Sequence, residues 1–90
     1  MRLIDIPTKR KLLTRKIDGG VVVFDYKINQ FFLLQGVNES VWSFIDGKKD
    51  IIQIIRNIKS EYEGSDKLVK NYVMDSLKQL TKVYLISIKN

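Results

Sequence analysis

Val21-Val22-Val23-Phe24-Asp25-Tyr26, then Lys27-Ile28-Asn29, then Gln30-Phe31-Phe32-Leu33-Leu34, is the stretch on which the fold turns. Two short runs rich in β-branched and aromatic residues flank a break, which reads as two strands joined by a turn. Asn29 suits the left-handed conformation that such a turn requires. Upstream, Lys11 to Ile17 alternates polar and apolar residues as a short strand does. Asp18-Gly19-Gly20 then supplies a second tight turn. The three strands form an antiparallel meander with the 21–26 strand at its centre. Residues 1–10, containing the lone proline Pro7, read as an N-terminal arm.

Downstream of Gln35-Gly36 the apolar period changes from two to 3.6, the mark of helices. Asn38 is expected to cap a first helix carrying Val41, Trp42 and Ile45, with Gly47 just past its end. Asp50 is expected to cap a second, striped by Ile51, Ile54, Ile55, Ile58 and Tyr62 and stopped at Gly64. Ser65 caps a third, running through Leu68, Val69, Tyr72, Val73, Leu77 and Leu80. The tail, residues 84–88, is open between a helical extension and a short strand. Three strands then three helices in one short chain predict an α+β domain over residues 11–90, with the helices on one face of the sheet.

Composition narrows function by exclusion. The 90 residues include no cysteine and no histidine. That removes thiolate metal sites, thiol nucleophiles and the usual general base. Asp25, Asp46 and Asp50 lie near turns, where turn chemistry or capping already accounts for them. Gly19-Gly20 lacks the strand and helix context of a phosphate loop. No enzyme, metal site or cofactor is expected. Formal net charge is +6, and residues 1–20 carry six basic against two acidic groups, so +4 belongs to the first strand and its lead-in. Lys9-Arg10-Lys11 is either a solvated segment or a polyanion contact. With no signal-peptide pattern and no membrane-length apolar run, the expected location is the cytoplasm.

Two features depart from simple patterning. The second and third strands are apolar at consecutive positions, whereas a sheet covered on one side should alternate. The third helix is also apolar over about half its circumference, wider than one core contact needs. Either the arm and tail cover this excess, or it awaits a partner.

The run from Val22 to Leu34, followed by Val41-Trp42-Ser43-Phe44-Ile45-Asp46-Gly47, resembles the precursor-peptide recognition domains of ribosomal peptide natural-product pathways. That family includes the chaperone of pyrroloquinoline quinone synthesis and the free-standing recognition proteins of lasso-peptide synthesis. Its pattern is an aromatic strand ending in Leu, a Trp eight residues later, and Asp-Gly at the helix close. Leu34, Trp42 and Asp46-Gly47 keep it. The chain departs where family members often have Gly-Leu near the end of the third helix; here the residues are Val83-Tyr84-Leu85-Ile86.

The resemblance implies a winged helix-turn-helix topology that takes a peptide. The leader of a precursor peptide would pair along the edge of the 30–34 strand and lie in a groove against the third helix. It implies a non-catalytic adaptor, acting with a partner protease or a radical-using modifying enzyme. Residues implicated in leader contact are Gln30, Phe31, Phe32, Leu33 and Leu34 on the strand, with Val69, Tyr72, Val73 and Ser76 on the helix. Trp42, Val69, Val73 and Leu80 also read as core, and Phe32 is open between groove floor and core. Phe31 and Leu33, on the opposite strand face, are open to a homodimer, the enzyme or cover by the arm. Ser76, a small polar residue inside an apolar stripe, marks either a close helix approach or space in the groove; the second is expected. The alternative is a winged-helix DNA-binding protein. Nucleic acid is disfavoured because Lys67, Lys70 and Lys78 interleave with Asp66 and Asp75 on the third helix.

Overall fold

The computed structural model describes residues 1–89. In chain order it contains β1 (Ile6–Lys9), β2 (Leu13–Ile17), β3 (Gly20–Asp25), β4 (Gln30–Leu34), α1 (Val37–Phe44), α2 (Ile51–Glu61), α3 (Asp66–Lys82) and β5 (Ile86–Lys89). The expected α+β architecture is present: an antiparallel β2-β3-β4 meander followed by three helices. Val23 pairs with Thr14 on one side and Phe32 on the other, and Phe24 with Leu13 and Phe31. Asn29 takes the left-handed conformation at φ 54° in the β3–β4 turn. Gly20 is required for a different reason. A Cβ there would lie 2.5 Å from the Leu34 carbonyl oxygen, so the β3–β4 ladder admits no larger residue.

Residues 1–10 are not a free arm, which corrects the sequence reading. β1 pairs antiparallel with β5, Ile6 opposite Lys89 and Lys9 opposite Ile86, so the tail is a strand. The same segment closes the start of α2. The Ile51 and Ile52 amides donate to the Asp5 and Leu3 carbonyls, at 3.0 and 3.1 Å. These are two of the helix-start donors that have no intrahelical partner. The Asp50 carboxylate accepts from the Gln53 amide while the Gln53 side chain accepts from the Asp50 amide, a complete capping box.

Asn38 does not cap α1. Gly36, at φ 59°, turns the chain out of β4 so sharply that helix begins at Val37, and Asn38 falls inside its first turn. Its side-chain oxygen instead accepts from the Ser76 hydroxyl at 2.6 Å. Ser65 caps α3 as expected, accepting from the Leu68 amide at 3.1 Å.

The core lies between the inner sheet face and the helices: Val23 and Leu34, then Val41, Trp42 and Ile45, then Ile51, Ile54 and Ile58, then Val69, Val73, Leu77 and Leu80. Leu85 and Ile86 close its lower end. Lys16 on β2 is ion-paired with Glu39, tying the sheet edge to α1.

Candidate functional site

β4 is the outer strand of its sheet, bonded to β3 on one side only. An edge strand presents unpaired N–H and C=O groups, which an extended peptide can continue as a further strand. Side chains alternate along it. Leu34 is buried and Phe32 half-buried on the inner face, while Phe31 and Leu33 are exposed on the outer face and Gln30 is exposed beside the turn. Leu34 and Trp42 both belong to the core, so Trp42 acts in packing.

The Ser76–Asn38 bond sets α3 against α1, whose first residues follow β4 after only Gln35 and Gly36. α1 packs on both α3 and β4, bringing the middle of α3 towards the end of the edge strand. Within α3, Val69, Val73 and Ser76 are buried. They form the floor on which the helix sits and are closed to a peptide approaching from outside. Ser76 is therefore a close-approach residue between α1 and α3, not the open space expected from sequence.

Tyr72 stands outside the buried stripe, 47% exposed. At about 100° per residue, Leu68 shares its flank, opposite the flank of Lys70 that faces α2. Leu68 is 42% exposed. Leu68 was not among the candidate site residues; its i, i+4 spacing to Tyr72 is the signal that the two form one apolar strip.

The carboxylates near turns have structural partners. Asp25 Oδ1 accepts from the Lys27 amide at 3.1 Å. Asp46 accepts from the Lys49 ammonium and from the Lys49 and Lys48 amides, which hold its carboxyl well below the usual carboxylate range. Lys9 lies 4.8 Å from the centre of the Trp42 ring, and partial burial pushes its ammonium below the ordinary lysine value against the opposing pull of Asp46. The buried Asp5 carboxylate, not singled out from sequence, accepts from the Arg2 amide at 2.7 Å and lies 3.4 Å from the Arg2 guanidinium. Among the described residues no three histidine, cysteine or acidic groups converge as a metal site. Nor is any helix among them long and apolar enough to cross a membrane.

A small meander backed by three helices, with one strand edge open and an exposed apolar strip on the third helix, defines a winged helix-turn-helix-like domain. The family of coenzyme PQQ synthesis protein D (PqqD) matches residues 20–86, most of the chain, and the chain belongs to that family. Its fold is similar to that of TbiB1, solved in complex with the TbiA(beta) leader peptide. The TM-score is 0.80 over 89% of this chain and 94% of that one, at 23% identity. Among curated proteins none matches the chain.

Proposed function

We propose that this chain is a non-catalytic adaptor that captures the leader segment of a ribosomally made precursor peptide. It presents that leader to a protease or a radical-using modifying enzyme. The observation that carries the proposal is the open β4 edge, together with the exposed Leu68–Tyr72 strip of α3, in a member of the PqqD family. TbiB1, of similar fold, was solved with a leader peptide bound, which supports the same use here.

The leader adds as a strand along Gln30–Leu34, so main-chain bonds hold it whatever its sequence. Phe32 and Tyr72 give selection by gripping alternate side chains. Val69, Val73 and Ser76 act from beneath by fixing the position of α3, and Leu34 by anchoring the strand. No cofactor takes part, and the adaptor works in the cytoplasm, where precursor and enzyme meet. Coupling is by proximity: a bound leader raises the effective concentration of the precursor core at the enzyme.

The test is titration of the labelled chain with the leader of the precursor encoded beside it. Amide shifts should concentrate on residues 30–35 and 66–80 without any added cofactor. Shifts confined to residues 9–16, or sub-micromolar binding of duplex DNA with no binding of leader, would refute the proposal.

A further inference from the structure

A hollow of ≈ 350 Å³ opens between α2, α3 and the N-terminal segment, on the flank of α3 that carries Lys70 and away from the Leu68–Tyr72 strip. Leu3, Ile52, Ile55 and Val69 give it apolar walls. Three cations, Arg56, Lys59 and Lys70, also line it, against one carboxylate, Asp66. Lys59 is already engaged: its ammonium lies 3.2 Å from Asp66 and donates to the Gly64 carbonyl. Arg56 and Lys70 are exposed and enter no ion pair among the described residues. The adaptor reading makes no use of this hollow, since no residue of the β4 edge lines it.

We propose that this hollow binds a small amphiphilic monocarboxylate, an aliphatic tail ending in one carboxylate. The tail lies against Leu3, Ile52, Ile55 and Val69, and the carboxylate meets the Arg56 guanidinium and the Lys70 ammonium. Size selects the occupant, because ≈ 350 Å³ falls within the about 300–1,000 Å³ of small-molecule sites. Two turns of a partner helix, ~10 Å across and ~11 Å long, would overfill it. Charge selects the polar end. With Asp66 neutralised by Lys59, Arg56 and Lys70 leave two unmatched positive charges beside an apolar floor. A guanidinium holds a carboxylate through two parallel hydrogen bonds. Asp66 at the same rim repels a doubly charged phosphate more strongly than a single carboxylate. Leu3, besides forming a wall, accepts from the Ile52 amide at 3.1 Å. A ligand here therefore joins the N-terminal segment to both helices and stabilises the folded chain by mass action. The site stands independently of the adaptor reading.

The experiment titrates the isotope-labelled full chain with octanoate, octanol, acetate and octyl phosphate, and separately with vesicles of anionic phospholipid. Octanoate should shift the amides of Leu3, residues 52–59 and residues 66–70 saturably, leave residues 30–34 unmoved and raise the melting temperature. Octanol keeps the tail without the charge, and acetate keeps the charge without the tail. Each should bind about tenfold more weakly or worse. Arg56→Gln combined with Lys70→Gln changes two exposed side chains and should melt, without ligand, close to wild type. It should weaken octanoate about tenfold or more. Octanol binding as tightly as octanoate, tighter binding of octyl phosphate, or undiminished octanoate binding by the double variant overturns the proposal. So does an octanoate titration that never saturates. Binding to the vesicles by a chain that ignores free octanoate also overturns it, since a membrane surface would then own the patch. A chain that binds octanoate here yet binds no leader would sink the adaptor reading and leave this site standing.

Discussion

Tyr84 occupies a backbone conformation that its side chain disfavours, at φ 62° just past α3. The Leu85 amide donates to the Leu80 carbonyl and the Tyr84 amide to the Thr81 carbonyl, both at 3.0 Å. These two bonds make a Schellman ending, whose left-handed position glycine fills without strain. Family members often have Gly-Leu at this place, and Tyr84-Leu85 keeps the geometry with a bulky residue. Tyr84→Gly should therefore stabilise the fold by about 1 kcal/mol, and Tyr84→Val should destabilise it; urea denaturation midpoints check both. Ser76 gives the opposite lesson. Buried between α1 and α3 and bonded to Asn38, it has no room to grow. Ser76→Trp should cost about 1–3 kcal/mol or more by overpacking. A variant melting within a degree or two of wild type would mean that the α1–α3 contact is looser than it stands here.

At the scale of elements, the β1–β5 ribbon is what sequence reading missed, because neither strand carries its own signal. Ile6-Pro7-Thr8-Lys9 includes a proline, and Ile86 to Lys89 follows directly on a long helix. Each becomes a strand only when the other is beside it. The ribbon also supports α2, since Leu3 and Asp5 bind its first amides and Pro7 is fully buried. Removing residues 1–9 should cost at least about 2 kcal/mol, counting only the two lost helix-start bonds. Thermal unfolding of the truncated chain measures this. A truncated chain as stable as the whole would show that residues 1–9 contribute nothing to the fold.

For the whole molecule, the distribution of charge bears on what the protein binds. Most of the net +6 belongs to residues 1–20, where Lys16 is paired with Glu39 and Lys9 is partly buried over Trp42. α3 carries Lys67, Lys70, Lys78 and Lys82 with Asp66 and Asp75 among them. A leader held by strand pairing and apolar contact should lose only modest affinity between about 50 and 200 mM salt, whereas duplex DNA held by several phosphates would lose roughly 10³-fold or more. Titrations at both salt concentrations decide between them, and a steep slope for the leader would show phosphate-like charge contacts at work.

Local chemistry was enough to read the meander and the capping of α2 by Asp50 and of α3 by Ser65. Each depends on residues within a few positions of one another, or on an apolar period that one element displays by itself. The edge status of β4 was legible too, because a meander of three strands leaves its last strand outermost. Which apolar residues remain in water was not. Leu68 and Val69 are equally apolar neighbours, yet one is 42% exposed and the other 1%, because only the packed position of α3 against α1 and α2 decides which way each points. Asn38 has the chemistry of a helix cap, but its oxygen binds Ser76, 38 residues away. Tertiary packing decided these assignments, since the free energy of burying a side chain depends on neighbours that the chain brings together only when folded.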